Sequence, residues 1–385
     1  MSSPLDRRNL KLDALAGKYF QSSNIAVPLT LRSSLPSVFS SPLSINEKLY
    51  GEKDTPDRLK WTADSMKIAQ AILREELVVF EKKFKEAVKS QTPLLDRIMQ
   101  FIVNRKGKQM RPMFVLLSAK LCGPVNESAY RAASLVELLH TATLVHDDVV
   151  DESLERRGFF STYALWKTKI SVLVGDYLLS KGLSLSLDHG DFRVLQILNA
   201  AIQKMSEGEL LQIEKSRSLN LSESVYFEII RNKTASLLAS SCAAGAFAAC
   251  HDEVLAEKMR RFGEKVGIAF QIKDDLFDYG SDAVGKPTGN DIKEKKLTLP
   301  LIYTLNNLDR TTRRELIFII KNHGKDPEKV QQVIKKVVAA GGIEYAIRQM
   351  NAYRDEALAI LYEFEDSDAR KGLEELVRYT TDRKY

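Results

Sequence analysis

Stretches such as "MKIAQAILREELVVFEKKFKEAVKS" set apolar residues at helical spacing with charges between them, and this pattern recurs from residue 61 onward. It predicts one amphipathic helix after another. Period-two alternation is nearly absent, so strands are not expected. Gly and Pro fall where such helices would end, in "CGPVNES" at 122–128, "DHGDF" at 188–192 and "NHGKDPEK" at 322–329. The expected fold is all-α, about ten or more helices in one domain over 61–385, with no interior linker long enough to require another.

Residues 1–60 break the pattern. "SSNIAVPLTLRSSLPSVFSSPLS" is rich in Ser and Pro without a sustained helical period, which predicts a poorly ordered extension. Its Ser and Arg content resembles an organelle transit segment, but Asp6 and Asp13 run against that, and the expected location is cytoplasmic.

Composition narrows the class without naming an activity. With 44% hydrophobic and 28% charged residues the 385-residue chain is an ordinary globular protein. The net charge of +6 is dispersed, Lys and Arg alternating with Asp and Glu, so no nucleic-acid partner is expected. Cys122, Cys242 and Cys250 are widely spaced and lack the Cys/His pairing of a zinc site, which predicts free thiols in a reducing compartment. No run approaches the roughly 18 consecutive apolar residues of a membrane span, and no transmembrane segment is expected. The most apolar run, "ASLLASSCAAGAFAAC" from Ala235 to Cys250, is built of small residues that let a neighbouring backbone come close.

Two segments carry the chemistry: "HTATLVHDDVVDESLERRG" at 140–158 and "AFQIKDDLFDYG" at 269–280. Residues four apart on a helix lie about 40° apart around its axis, so Asp147 and Asp151 share a face, as do Asp274 and Asp278. Each pair makes a two-carboxylate claw, flanked by Asp148 and Asp275. A single such cluster reads as a solvated helix end; two, each beside apolar residues, predict a bound cation. Oxygen-only ligands in small number suit Mg²⁺, which keeps several waters and bridges to phosphates. Basic residues supply the complement: Lys108 and Arg111 near a Gly turn, Arg156 and Arg157 beyond the first claw, and Lys233 beside Thr234. Together they describe two anionic groups, one bridged through metal and one held directly by Arg and Lys.

These motifs resemble, from about residue 70 to the C-terminus, the trans-prenyltransferases of the isoprenyl (polyprenyl) diphosphate synthase family. The resemblance rests on Asp147-Asp148-Val149-Val150-Asp151 and Asp274-Asp275-Leu276-Phe277-Asp278. It also rests on Gly107-Lys108, Arg111-Pro112, Arg156-Arg157-Gly158, Gly208-Glu209 with Gln212, Lys233-Thr234 and Phe270-Gln271. It implies an isoprenoid-synthase-type helical bundle around a central substrate cavity, working as a homodimer. Two Mg²⁺ ions are then expected on Asp147 and Asp151 and a third on Asp274, with Mn²⁺ able to substitute. Asp148, Asp275, Asp278 and Lys233 join the catalytic set by the same resemblance.

The substrates implied are isopentenyl diphosphate and an allylic prenyl diphosphate. Arg156, Lys233, Thr234, Gln271, Lys286 and Lys296 match positions contacting the allylic diphosphate; Lys108, Arg111, His140 and Arg157 match the isopentenyl site. His140 lies seven residues before Asp147, nearly two turns, and so on the same face. Gln109 stands where the family often has a basic residue, which removes one phosphate contact. His146 is not expected to act as a base, because in this family the departing diphosphate takes the proton. The implied reaction ionises the allylic C–O bond and adds the resulting cation to the isopentenyl double bond. No protein nucleophile is required.

The same resemblance places chain-length control on the helix of the first claw. The hydrocarbon would run back past Thr143, Leu139 and Val136, about one turn per step. Short-chain relatives carry a bulky aromatic residue at the fourth or fifth position before the motif, where this chain has Thr143 and Ala142. It also lacks the insertion of some short-chain bacterial types between Asp148 and Asp151. By the same resemblance the expected product is long, about C35 to C50 along the turns of this helix, of the kind used for quinone side chains and delivered to a membrane. Geranylgeranyl diphosphate is the alternative, if Leu139 or the segment "VGDYLLSKGLSLSL" closes the tunnel early. A terpene cyclase would replace the second motif, and a non-catalytic subunit of a heteromeric synthase would have lost a claw. Both claws are intact.

Overall fold

The computed structural model describes residues 65–104, 107–156, 158–218, 222–280 and 289–383. The Ser- and Pro-rich segment 1–60, Arg157 and Lys286 lie outside them. The described chain is helical throughout apart from one hairpin, as the periodicity predicts.

Helix α1 (Arg74–Ala87) buries Phe80 and Phe84 one turn apart, the apolar stripe of an amphipathic helix. Helices α2 (Pro93–Asn104) and α3 (Met110–Cys122) follow, and α3 is buried at every residue from Pro112 to Ala119. Helix α4 (Glu127–Val150) starts at Asn126, whose side chain accepts from the Ala129 N–H at 3.0 Å, satisfying one orphan donor of the first turn. After α4 the chain turns through a two-stranded antiparallel hairpin, β1 (Glu155–Arg156) and β2 (Phe159–Phe160), into α5 (Thr162–Leu187). Helix α5 runs back antiparallel along α4. A Cβ at Gly175 would lie 2.1 Å from the His146 ring and one at Gly182 would lie 2.8 Å from Leu135, so these glycines set the approach of the two helices.

Helices α6 (Phe192–Ser218) and α7 (Glu223–Ile230) lead into a π-helical turn, Arg231–Ala235. It continues into the small-residue helix α8 (Ser236–Cys250), buried along most of its length, and then α9 (Glu253–Phe277). The remainder is α10 (Asn290–Lys293), α11 (Leu299–Asn307), α12 (Arg310–His323), α13 (Pro327–Ala339), α14 (Gly342–Leu361) and α15 (Asp368–Asp382). Two apolar cores result. One gathers α1 to α5 with α8 and the start of α9, through Met259, Phe262 and Val266. The other surrounds the end of α9, through Ile268, Ile272 and Leu276, with α11 to α14. Helix α9 therefore runs through both cores and delivers Asp274 at its far end.

Among the described helices α5 is long and apolar enough to cross a membrane by length and composition, yet, as the sequence predicts, it holds no unbroken apolar run of span length. Its most apolar 18-residue window has a mean hydropathy of 1.3, with a third of that window buried inside the protein. Lys169, Asp176 and Lys181 interrupt every apolar run along it without lowering the average enough to exclude it. The fold packs one side of α5 on α4 and leaves Leu173, Leu183 and Leu187 exposed on the outside.

Candidate active site

The first acidic motif ends α4. Asp147 and Asp151 are exposed there, and Asp151 is the C-cap, its N–H returning to the Asp147 carbonyl at 2.8 Å. Asp148 points the other way. It is 3% exposed and accepts from Arg156 Nε at 2.6 Å, an ion pair made when the hairpin folds β1 back over α4. Burial raises the Asp148 pKa above the ordinary carboxylate value, and Arg156 opposes it. The middle acid of this motif thus holds Arg156 in place instead of opening to the cleft.

The second motif ends α9 and divides its labour in the same way. Asp275 is 6% exposed; its two oxygens accept from the Tyr226 hydroxyl at 2.7 Å and Gln271 Nε2 at 2.9 Å. Asp278 accepts from the backbone N–H groups of Asn290 and Asp291, at 2.7 and 3.1 Å, and so anchors the start of α10. The spacing argument paired Asp278 with Asp274 as a claw, but both Asp278 oxygens are committed to this loop. Asp274 carries the motif's charge outward and forms an ion pair with Arg383, whose guanidinium lies 4.1 Å from the Phe270 ring centre.

Between these walls stands the π-helical turn with Lys233 and Thr234. It is clamped by two glycines: a Cβ on Gly208 would come within 2.8 Å of the Lys233 nitrogen, and one on Gly267 within 2.5 Å of the Ala235 Cα. A π-turn inserts an extra residue per turn and re-aims the side chains it carries, a device frequent at functional sites. Lys233 pairs with Glu209 and donates to Gln212 Oε1 at 3.2 Å; Thr234 donates to Gln271 Oε1 at 2.8 Å.

A cavity of about 290 Å³ opens here, lined by Gln212, Lys233, Thr234, Asp274, Asp291 and Lys296 among others. Asp147 and Asp151 do not line it, yet both are tied to it electrostatically. Loss of hydration and then Glu209 raise the Asp147 pKa, against Lys233 and Arg156. Burial works to lower the Lys296 pKa, and Glu294, Asp291 and Asp151 outweigh it. The two walls therefore face one cleft.

Of the isopentenyl residues, Lys108 and Arg111 stand at the start of α3, which packs on α4, the helix of His140. Gln109 sits between them at φ 51°, left-handed, so the chain turns sharply at that point. Lys108 donates to the Tyr379 hydroxyl at 2.5 Å. Sequence reasoning missed Tyr379, Arg383, Tyr226 and Asp291. Only Asp291, in "GNDIKEKK" shortly after the second motif, and the basic end "DRKY" gave any signal. Of the proposed chain-length positions, Leu139 and Ala142 are fully packed between α4 and its neighbours, whereas Thr143 is half-buried and donates to the His140 carbonyl. His146 contacts the Val172 carbonyl at 3.2 Å and lies against Gly175, a packed position that suits no base.

Among the described residues no three His, Cys, Asp or Glu side chains converge on one point as a closed metal cage. The donor set fits a different arrangement. Asp147, Asp151 and Asp274 are outward carboxylates at two helix ends, in a cleft where like charges are crowded together. A hard cation that takes few protein ligands and completes its shell with water and phosphate relieves that repulsion.

An all-α bundle with two facing aspartate motifs and a ring of Lys and Arg defines a prenyltransferase of the diphosphate-ionising class. The polyprenyl synthetase family model matches residues 92–337, and the chain belongs to this family. Members use isopentenyl and allylic diphosphates and a divalent metal ion. The chain is 35% identical over 316 residues to the all-trans-nonaprenyl-diphosphate synthase (geranyl-diphosphate specific) of Rhodobacter capsulatus, covering 81% of this chain and 96% of that protein. A polyprenyl synthase from Caulobacter crescentus CB15, complexed with calcium and isoprenyl diphosphate, superposes with a TM-score of 0.76 at 33% identity, over 83% of this chain and 98% of that one. A geranylgeranyl pyrophosphate synthase from Bacteroides thetaiotaomicron gives 0.71 at 38% identity, over 83% and 100%.

Proposed function

We propose that this chain elongates an allylic prenyl diphosphate with isopentenyl diphosphate to a long all-trans product, about C35 to C50 if the hydrocarbon follows the turns of α4. The observation that carries the long-chain reading is the pair Ala142 and Thr143 on the helix of the first motif, both small where a floor would stand. Asp147, Asp151 and Asp274 would hold three Mg²⁺ ions, which supply fixed positive charge to the diphosphate as it leaves. Lys233, Arg156 and Lys296 add their own charge to the same anion, and their present partners Glu209, Asp148 and Glu294 keep them oriented until it binds. Lys108 and Arg111, with His140, take the second diphosphate. Arg157 and Lys286 complete the two anion sites on the motif match alone.

Supporting a homodimer are the resemblance and the exposed apolar residues Leu173, Leu183 and Leu187 on the outer side of α5. The shorter product, geranylgeranyl diphosphate, is favoured by one observation, the 38% identity to a synthase of that name. Incubation of the purified chain with isopentenyl and farnesyl diphosphates, followed by chromatography of the dephosphorylated products, separates the two. Products beyond C20 support the proposal; accumulation at C20 sinks it. The same assay on Ala142→Phe and Thr143→Phe checks the route. Each should shorten the product while isopentenyl diphosphate is still consumed. Thr143→Phe should do so with the smaller loss of stability, because overfilling the packed Ala142 site costs about 1–3 kcal/mol.

A further inference from the structure

We infer that Tyr226 is a positioning residue that sets the direction of the Thr234 hydroxyl. Three hydrogen bonds run from α7 through α9 to the π-turn. The Tyr226 hydroxyl donates to Asp275 Oδ2 (2.7 Å), Gln271 Nε2 donates to Asp275 Oδ1 (2.9 Å), and Thr234 Oγ1 donates to Gln271 Oε1 (2.8 Å). The two Asp275 oxygens accept, one from the Tyr226 hydroxyl and one from the Gln271 amide nitrogen, which can only donate. Once the Gln271 amide nitrogen is turned to Asp275, its carbonyl oxygen faces Thr234, and a carbonyl only accepts. Thr234 must then spend its single proton on Gln271, and its hydroxyl presents lone pairs alone to the cleft. That surface suits a water or a cation and repels a bare diphosphate oxygen. Thr234 is thereby assigned a different part from the direct diphosphate contact that the motif match implies.

Tyr226 is the fixed end of this chain. It is 3% exposed and its ring lines the cavity wall, but its hydroxyl is committed to Asp275, so that oxygen acts on Thr234 through Asp275 and Gln271. Removing that one oxygen leaves Asp275 Oδ2 without its donor in a buried setting. The Gln271 amide can then turn over, and the Thr234 hydroxyl with it.

The inference rests on the prenyltransferase reading, and a double-mutant cycle tests it apart from that reading. Steady-state kcat and the KM for isopentenyl diphosphate are measured for wild type, Tyr226→Phe, Thr234→Val and the double variant, each checked for folding by thermal melting. Tyr226→Phe should lower kcat about tenfold with little change in KM. It should have almost no further effect in the Thr234→Val background, and Thr234→Ser should restore sensitivity to Tyr226. Equal losses in both backgrounds, or an unchanged kcat in Tyr226→Phe, would overturn the positioning role while leaving the enzyme's activity established. An inactive wild-type chain would overturn both. If Tyr226→Phe does not fold, Gln271→Met removes the middle link and enters the same cycle under the same criterion.

Discussion

Asp291 shows what a single residue's surroundings do to its chemistry. Burial, then repulsion from Asp275 and Asp278, raises its pKa to about 8, and burial raises Asp275 to about 7 against the hydrogen bonds from Tyr226 and Gln271. An unfolded Asp titrates near 3.9, so above about pH 4 the folded state binds more protons than the unfolded one. The contribution to stability is present at low pH and lost as pH rises through the folded values. In chelator-treated buffer the melting temperature should fall between pH 6 and 8.5. Asp291→Asn should flatten much of that slope and raise the melting temperature at pH 8.5. An unchanged slope would show that Asp291 is not part of a repelling pair. At this scale the sequence disclosed Asp147, Asp151 and Asp274, because four-residue spacing fixes which acids share a face. It could not disclose that Asp148 and Asp275 turn inward. Their partners are Arg156, brought back by a hairpin, and Tyr226, 49 positions away.

Among the elements, the π-turn is the one periodicity could not reveal, since "RNKTA" satisfies an i→i+4 or an i→i+5 pattern equally well. What enforces it is the close approach of α6 and α9 on either side. Gly267→Ala would place a methyl 2.5 Å from the Ala235 Cα, so backbone must move. A cost of about 1–3 kcal/mol in stability is expected from such overpacking. Turnover should drop further than stability alone explains, because Lys233 and Thr234 move with the turn. Denaturation and kinetics on the same preparation check this; normal turnover in a destabilised protein would show that the turn does not aim these side chains. The helices themselves were legible, since their burial follows the apolar stripes. Helix α5 was read incompletely: its break at Lys167, with φ 66°, leaves no mark in the hydrophobic pattern.

Over the whole molecule, α9 ties the two cores together and α15 closes on the site from outside, with Tyr379 on Lys108 and Arg383 on Asp274. This long-range closure was invisible in sequence, where those partners are 271 and 109 positions apart. The outer face of α5 belongs to this scale too. If it is covered by a second copy, Leu173→Glu should shift the protein from dimer to monomer in sedimentation analysis, because a charge there would be buried without a partner. A Leu173→Glu protein that remains dimeric would place the interface elsewhere.

The account stands on two acidic walls serving one diphosphate. Its most direct test is the turnover of purified wild type, Asp147→Asn and Asp274→Asn with farnesyl and isopentenyl diphosphates at saturating Mg²⁺. Both substitutions keep side-chain size and remove one charge from the cleft. Each should lower kcat on the order of a thousandfold, the scale expected when charge stabilisation of the transition state is lost, with the melting temperature of Asp147→Asn no lower than wild type and that of Asp274→Asn lowered only by loss of its ion pair with Arg383. Turnover within about tenfold of wild type in either variant would contradict the claim that both walls hold the charge on which ionisation depends.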